Sequence, residues 1–329
     1  MAILVLGGAG YIGSHMVSEL CDQDVDVVVA DSLETGHIEA VNRKAKFFKG
    51  DIRNREFIDE VFEKNKIEAV VHFAAYSLVG ESMGNPLKYY DNNIGGTRTL
   101  LESMVAHNVS KIVFSSTAAT YGEPVNIPIL ETDRTLPTNP YGETKLSMEK
   151  MFKWCDKAYG LRFVSLRYFN ACGAHESGNI GEAHNPETHL IPIILQAANG
   201  QRESVMIFGD DYPTKDGTCI RDYIHVTDLA QAHIRALDYL HNGGISNIFN
   251  LGNGVGFSVK EVIDTARKVT GVDIKAEITD RRAGDPAQLV ASSEKARQVL
   301  GWAPQHDSLE DIVSSAWKWH KSHPHGYSN

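Results

Sequence analysis

Short apolar runs alternate with amphipathic stretches along the first half of the 329-residue chain. The runs are apolar at consecutive positions rather than at every second one, as expected for parallel strands covered by helices on both faces. They predict strands at residues 3–6, 25–30, 47–48, 69–74, 111–114 and 162–166. Between them apolar residues recur at helical spacing, so that Ile12, Met16 and Leu20 share one face. The pattern predicts an α/β fold with a Rossmann-like, doubly wound parallel sheet.

The sequence changes in character after about residue 170. Residues 172–189 are polar and glycine-rich over a length too great for an ordinary connection, so we expect a functional loop there. Ser258 with Glu261 predicts a capped helix start, and Ser308 with Asp311 predicts another. We therefore expect a larger domain at 1–170 and a smaller α/β domain at 171–329. A predicted strand at 247–251 makes the segment near 228–254 a candidate to rejoin the first sheet.

Charge and composition narrow the possible partners. Lys and Arg number 32 against 42 Asp and Glu, a net charge of −10, which disfavours binding to nucleic acid. The sequence contains no run of about 18 apolar residues and no leader peptide, so we expect neither a membrane span nor export. The four cysteines are scattered and form no Cys-x-x-Cys pair, which suits a cytoplasmic protein and disfavours a nucleophilic cysteine.

A glycine-rich turn follows the first predicted strand and opens the first helix. It runs Gly7-Gly-Ala-Gly10-Tyr11-Ile12-Gly13, and glycines there let the backbone approach a pyrophosphate at the helix N-terminus. Asp31 ends the second strand, where a carboxylate accepts hydrogen bonds from both ribose hydroxyls and repels a 2′-phosphate. The turn and the acid together predict NAD as the cofactor and make 1–170 the NAD-binding domain.

A tyrosine and a lysine four residues apart begin a later predicted helix. Tyr141 and Lys145 lie on one face of that helix, and Thr117 follows the fifth strand near the cofactor crevice. A tyrosine with a pKa of about 10 is a poor base, but a nearby lysine and a positive nicotinamide ring would both lower that pKa. We therefore expect Tyr141 to act as the base, with Lys145 in support and Thr117 holding the reacting hydroxyl.

These motifs together resemble the extended short-chain dehydrogenase/reductase family. The resemblance covers nearly the whole chain and is closest to the branch that epimerises UDP-sugars at C4. Its further motifs are His72-Phe-Ala-Ala75, Val79-Gly-Glu-Ser82, Leu166-Arg-Tyr-Phe-Asn170, Arg221-Asp-Tyr-Ile-His-Val226, Phe208-Gly-Asp-Asp-Tyr-Pro-Thr214 and the tail His323-Pro-His-Gly-Tyr327. The resemblance implies a cytoplasmic homodimeric isomerase of galactose metabolism, which interconverts UDP-galactose and UDP-glucose through a 4-keto intermediate with tightly bound NAD. The dimer is expected to form through helices near 90–108 and 144–158.

The resemblance also assigns residues to the two ligands. The cofactor side comprises Gly7, Gly10, Tyr11, Ile12 and Gly13 at the pyrophosphate, Asp31, Ser32, Thr35 and Gly36 at the adenosine ribose, Asp51 and Ile52 at adenine, and Phe73, Ala74, Ala75, Asn92, Tyr141, Lys145 and Tyr168 along the rest of the crevice. The UDP-sugar side draws on both domains. It comprises Thr117, Tyr141 and Asn170 of the domain at 1–170, and His189, Leu190, Phe208, Arg221, Tyr223, Arg282, Asp285 and Leu289 of the domain at 171–329.

Two positions depart from the family or modify its specificity. Ser77 stands where well-known members carry a lysine, so one cationic contact is expected to be missing. Leu289 stands at the position that gates 2-N-acetyl sugars in the family, where large aromatic residues restrict them and small residues admit them. Leucine is intermediate in size, so we expect UDP-N-acetylgalactosamine to be epimerised more slowly than UDP-galactose.

Three alternatives remain to be weighed against this interpretation. A nucleotide-sugar 4,6-dehydratase normally places an Asp-Glu pair after the strand-five threonine, where this chain has Ala118 and Ala119. A catalytically dead NAD-binding protein has no need of Thr117, Tyr141 and Lys145 together. A metal enzyme is suggested only by the cluster His184-Asn-Pro-Glu-Thr-His189. The spacing of this cluster matches no zinc signature, so we predict no metal. We interpret the cluster as part of the substrate loop.

Overall fold

A parallel sheet of seven strands organises the fold, and apolar cores lie against both of its faces. The structure, a computed structural model, describes residues 1–282 and 285–327. Its strands are β1 (Ala2–Leu6), β2 (Val27–Asp31), β3 (Lys46–Lys49), β4 (Ile67–His72), β5 (Lys111–Ser115), β6 (Arg162–Arg167), β7 (Asn170–Cys172), β8 (Val205–Phe208), β9 (Ile220–Arg221), β10 (Tyr223–His225), β11 (Asn247–Asn250), β12 (Phe257–Ser258), β13 (Ala276–Thr279) and β14 (Gln288–Leu289). Its α-helices are α1 (Tyr11–Asp22), α2 (Arg55–Lys64), α3 (Val79–Gly84), α4 (Pro86–Tyr89), α5 (Gly96–Ala106), α6 (Pro140–Tyr159), α7 (Leu190–Ala198), α8 (Val226–His241), α9 (Val259–Thr270), α10 (Glu294–Leu300) and α11 (Leu309–Ser322).

The strand order of the main sheet is β11-β6-β5-β4-β1-β2-β3, with every neighbouring pair parallel. Six of these strands were predicted from apolar runs, and their bounds differ from the prediction by at most two residues. The predicted doubly wound fold is confirmed. The chain also returns to the sheet as expected, because β11 pairs with β6 from Asn247 opposite Val164 to Asn250 opposite Arg167.

Two layers of helices cover this sheet. On one face, Met16, Val17 and Leu20 of α1 share a core with Leu229 and Leu237 of α8. On the other face, helices α2, α5 and α6 contribute a second core, whose helical members are Ile58, Val61, Phe62, Leu100, Leu101, Met104, Met148 and Phe152. Burial of both faces explains why the strands are apolar at consecutive positions.

A third core lies in the second half of the chain. It is formed by α7, α9 and α11 together with short strands, and it includes Ile194, Val262 and Val313. The predicted helix starts are present: Ser258 and Glu261 form a capping box at α9, and Ser308 accepts a hydrogen bond from the amide of Asp311 at α11. Within the described residues, no helix is both long enough and apolar enough to cross a membrane.

The register of the central strands determines where a ligand can bind. The last residue of β1, Leu6, is level with Ala30 of β2 and His72 of β4, so these strands end at the same edge of the sheet. The chain runs from β1 to β2 on one side and on to β4 on the other, which opens a crevice at this edge.

Candidate active site

One cavity of about 1240 Å³ lies at the carboxyl edge of the main sheet and extends to the second half of the chain. Every residue expected on the cofactor side lines it: Gly7, Gly10, Tyr11, Ile12, Gly13, Asp31, Ser32, Thr35, Gly36, Asp51, Ile52, Phe73, Ala74, Ala75, Asn92, Tyr141, Lys145 and Tyr168. Of the residues expected on the UDP-sugar side, Thr117, Asn170, His189, Arg221, Arg282, Asp285 and Leu289 line it as well, and Ser77 lies in the same wall. The fold therefore brings most of the predicted residues together.

Three expected residues lie outside this cavity. Tyr223 is 4% exposed and belongs to the third core. Leu190 is the first residue of α7 and packs against the same core. The ring of Phe208 lies 3.9 Å from the guanidinium carbon of Arg282. None of these three side chains lines the cavity, although Phe208 contacts Arg282, which does.

The glycines of the first turn meet different steric demands. Gly7 has a φ of +79°, and a Cβ there would lie 2.6 Å from the amide nitrogen of Ala74. At Gly13 a Cβ would lie 2.1 Å from the carbonyl oxygen of Gly7. Gly10 is the N-cap of α1 and offers no side-chain cap to the first amides of the helix. Unsatisfied amides at a helix N-terminus form a binding site for an anion such as a pyrophosphate.

Asp31 is held at the end of β2 by two backbone amides. Its carboxylate accepts hydrogen bonds from Ala9 at 3.0 Å and Leu33 at 2.8 Å. Burial raises the pKa of Asp31, and these two hydrogen bonds oppose that rise. A carboxylate has about four acceptor sites, so Asp31 can still receive two ribose hydroxyls.

The Tyr141, Lys145 and Thr117 side chains meet at the centre of the cavity. Helix α6 begins at Pro140, and its N-cap Asn139 accepts a hydrogen bond from the amide of Gly142. One turn separates Tyr141 from Lys145, whose Nζ lies 5.9 Å from the centroid of the tyrosine ring. The ammonium donates to the carbonyl oxygen of Ser115 at 2.8 Å, which places it at the end of β5.

The pKa values of this centre differ from the sequence prediction. Burial raises the pKa of Tyr141, and a hydrogen bond with Thr117 opposes the rise only in part. Burial also lowers the pKa of Lys145 to about 7, against the opposing effect of Glu149. The lysine is therefore only partly charged at neutral pH, which weakens its effect on the phenol. The sequence predicts a lowered pKa for Tyr141. The protein groups around the phenol do not produce that lowering, because the effect of burial is larger than the opposing effect of Thr117.

A buried ion pair behind Lys145 was missed by sequence reasoning. Glu149 accepts hydrogen bonds from Arg167 at 2.9 and 2.6 Å and from the hydroxyl of Ser116 at 2.7 Å. The side chains of Arg167 and Glu149 are 3% and 0% exposed. The available signal was spacing, since Tyr141, Lys145 and Glu149 follow one another at intervals of four along α6.

Two arginines face the far end of the cavity. One Nη atom of Arg221 donates to the carbonyl oxygens of Ile220 at 2.9 Å and Pro286 at 2.8 Å, while the other lies 3.6 Å from Asp285. Arg282 is stacked on Phe208. Residues 283 and 284, which complete the segment expected here, lie outside the described residues. Oriented guanidinium groups of this kind suit phosphate oxygens.

Leu289 and two alanines border the region beside Thr117. Leu289 ends β14 and packs against a small apolar cluster that contains Ala118, Tyr121 and Ile129. Ala118 and Ala119, which directly follow Thr117, both line the cavity. The positions at which a dehydratase carries its acid and base are therefore occupied by methyl groups.

Four ionisable side chains converge at another part of the cavity wall. They are Glu182, His184, Glu187 and His189, on the loop that precedes α7. Burial alone would lower the pKa of each histidine, but the neighbouring carboxylates outweigh it and raise the pKa of His184 to about 9. They raise the pKa of His189 in the same way.

Comparison with known proteins gives matches along the full chain. Residues 3–252 match the model of the NAD dependent epimerase/dehydratase family. The UDP-glucose 4-epimerase of Halalkalibacterium halodurans is 63% identical over 328 residues, covering 100% of this chain and 98% of that protein. A UDP-glucose 4-epimerase of known crystal structure is 56% identical, with a TM-score of 0.99, and the match covers 100% of this chain and 100% of that chain. The UDP-glucose 4-epimerase from Bifidobacterium longum, crystallised in complex with NAD+ and UDP, is 39% identical with a TM-score of 0.94, covering 99% of this chain and 100% of that chain.

Proposed function

The chain belongs to the NAD dependent epimerase/dehydratase family, and we propose on that basis that it is an NAD-dependent isomerase interconverting UDP-galactose and UDP-glucose. One observation carries the proposal: Thr117, Tyr141 and Lys145 meet inside a cavity of about 1240 Å³ that joins the glycine-rich turn to Arg221. Ligand pockets commonly measure roughly 300–1,000 Å³, so this cavity has room for a dinucleotide and a nucleotide sugar. The reaction would serve galactose metabolism.

The cofactor fits the residues at the sheet edge. The amides at the start of α1, beside Gly10, would hold its pyrophosphate, and Asp31 would hold its adenosine ribose. When bound, NAD+ accepts the hydride from C4 of the sugar and returns it, and its positive ring favours the phenolate form of Tyr141.

Tyr141 is the proposed general base. It would take the proton from the sugar 4-hydroxyl as the C4 hydride leaves, and give it back when the hydride returns. Thr117 interacts with the phenol, since it lowers the pKa of Tyr141, and it would hold the same hydroxyl. Charged Lys145 would stabilise the phenolate of Tyr141. Glu149 favours the charged lysine by raising the pKa of Lys145.

The UDP end must be held more firmly than the sugar. Arg221 is oriented by two carbonyl oxygens and Arg282 by the ring of Phe208, so both would grip the diphosphate with little loss of side-chain freedom. Binding energy from this non-reacting part keeps the 4-keto sugar from escaping while it turns to present its other face.

The test is conversion without added cofactor. Purified protein is incubated with UDP-galactose alone, and quenched samples are separated and measured for UDP-glucose. We expect equilibration of the two sugars by the wild-type protein and none by Tyr141→Phe. A product lighter by one water would indicate a dehydratase, and the absence of any product would refute the proposal.

The proposal includes a cytoplasmic homodimer. Trp154 and Tyr159 on α6 are 68% and 64% exposed, and Val105 on α5 is 39% exposed. Exposed large apolar side chains on two helices near the expected interface favour a protein contact there. The four free cysteines suit a reducing compartment. Light scattering should give the mass of a dimer for the wild-type protein and of a monomer for Trp154→Glu.

A further inference from the structure

Four potential metal ligands lie close together on the loop before α7. One ligand-type atom from each of Glu182, His184, Glu187 and His189 lies within 4.8 Å of the other three. All four residues belong to a segment of eight, 182–189, so little chain entropy is lost in bringing them together. The sequence alone predicts no metal here, because the spacing matches no zinc signature. The spatial arrangement leads to a different conclusion.

The distances between these atoms suit one small cation. Oε1 of Glu182 lies 3.2 Å from Nδ1 of His184 and 2.7 Å from Nδ1 of His189. The Glu187 oxygens lie 3.3 Å from Nδ1 of His189 and 3.7 Å from Nδ1 of His184. Tetrahedral ligands at about 2.0–2.1 Å from a zinc ion are roughly 3.3–3.4 Å apart. The four observed distances lie on either side of that value.

Hydrogen bonding does not satisfy two of these atoms. Oε1 of Glu182 and Nδ1 of His184 are buried, and although each lies within ion-pair distance of another member of the cluster, neither makes a hydrogen bond of good geometry with a described residue. Glu182 is only 3% exposed, so bulk solvent does not reach its carboxylate. A buried carboxylate oxygen without a well-formed hydrogen bond is costly, and a bound cation would remove that cost.

Neighbouring groups already orient the ligands. Oε1 of Glu187 accepts hydrogen bonds from the amides of Thr188 at 2.8 Å and His189 at 2.9 Å. The ring of Tyr11 stands edge-on to the ring of His184, with centroids 6.1 Å apart. Groups that fix the orientation of ligands in this way are typical of metal sites.

We propose that Glu182, His184, Glu187 and His189 bind one divalent transition-metal ion, with Zn²⁺ the best match. Imidazole nitrogen and carboxylate oxygen are both zinc ligands, and the two carboxylates balance the charge of the ion. The chain supplies all four ligands, which is typical of a structural site rather than a catalytic one. The ion would fasten the 182–189 loop against Tyr11 and the glycine-rich turn, away from Tyr141.

Metal binding would also determine the proton position on His189. A ring that coordinates through Nδ1 carries its proton on Nε2, so His189 becomes a permanent hydrogen-bond donor at the cavity wall. If the proposed function holds, that donor would face the UDP-sugar side of the cavity. This consequence rests on the proposed function, whereas metal binding itself does not.

The test uses full-length protein without a polyhistidine tag, stripped with a chelator and dialysed. Zn²⁺ is then added back, and bound metal is measured by mass spectrometry in the absence of any UDP-sugar. We expect one Zn²⁺ per chain and a melting temperature that rises with Zn²⁺ concentration. Co²⁺ in the same site should give the absorption of a four-coordinate ion. No Zn²⁺ uptake, or no such Co²⁺ absorption, would overturn the proposal and leave two protonated histidines paired with the carboxylates.

Matched variants locate the site. His184→Gln and Glu187→Gln each keep the approximate size of the side chain, and each should weaken Zn²⁺ binding by more than about 100-fold. His325→Gln removes an exposed histidine of the tail and should bind Zn²⁺ as the wild-type protein does. Equal Zn²⁺ binding by all three variants would refute the assignment. If a variant does not fold, the Co²⁺ spectrum and the Zn²⁺-dependent melting temperature of the wild-type protein still show whether the metal binds.

Discussion

The buried pair between Glu149 and Arg167 should be essential for both stability and turnover, and the two effects can be separated. Glu149→Met removes the acceptor of three hydrogen bonds, two of them from Arg167 at 2.9 and 2.6 Å and one from Ser116. It leaves the guanidinium of Arg167 in a site where its side chain is 3% exposed. An uncompensated buried charge of this kind costs about 3–5 kcal/mol. At roughly 2 °C per kcal/mol for a chain of this size, the melting temperature should fall by about 6–10 °C.

The double variant Glu149→Met/Arg167→Met distinguishes charge from packing. Replacement of both members of a buried pair by apolar groups is often neutral, so the double variant should recover most of the lost stability. It should not recover turnover, because Glu149 raises the pKa of Lys145 and its loss leaves that lysine mostly neutral at pH 7. Stability and activity should therefore respond differently to the same pair of substitutions.

The assay combines urea unfolding with initial rates of UDP-galactose epimerisation. Glu143→Gln on the same helix is the control, because this half-buried carboxylate has no ion-pair partner among the described residues. It should change stability by less than about 1 kcal/mol. If Glu149→Met unfolds at the same urea concentration as the control, or if the double variant regains full turnover, the reasoning about this pair is wrong.

Three further predictions concern the base, the gate and the cofactor. Tyr141→Phe keeps the ring and removes the proton acceptor, so kcat should fall roughly 10²–10⁴-fold. The affinity for UDP, measured by calorimetry, should not change. Near-normal turnover would show that the base is misassigned. Leu289→Tyr should abolish epimerisation of UDP-N-acetylgalactosamine and spare UDP-galactose, and an unchanged ratio of the two kcat/KM values would exclude Leu289 as a gate. Denatured protein should release NAD or NADH in nearly equimolar amount, because Asp31 disfavours a 2′-phosphate; recovery of NADP would contradict this.

Local patterns were enough to predict the fold and the cofactor crevice. The strands are continuous apolar runs because both faces of the sheet are buried, and the glycine-rich turn is specified by close backbone approaches at Gly7 and Gly13. Tyr141 and Lys145 are adjacent because they share a helical face. Each of these features leaves a local pattern in the sequence, even where the contact behind it, such as that between Gly7 and Ala74, joins distant residues.

The features that sequence reasoning missed depend on tertiary burial. Arg167 and Glu149 become a pair only when β6 packs beside α6, and neither motif indicates the other. The pKa of Tyr141 rises because the fold buries the phenol, which spacing relative to Lys145 does not reveal. The cluster around His184 lies within one short loop, but its convergence depends on backbone turns that have no regular period.

The return of β11 to the main sheet has a consequence for synthesis on the ribosome. Without it, β6 would be an open edge, and without α8 the apolar face of α1 would be uncovered. At translation rates of about 5–20 residues per second, roughly 4–16 s separate the emergence of residue 170 from that of residue 250. During that interval the nascent chain carries an unpaired strand edge and an exposed apolar surface, both of which promote association. A fragment that ends at residue 170 should therefore aggregate, whereas one that ends after β11 should remain in solution longer in a centrifugation assay.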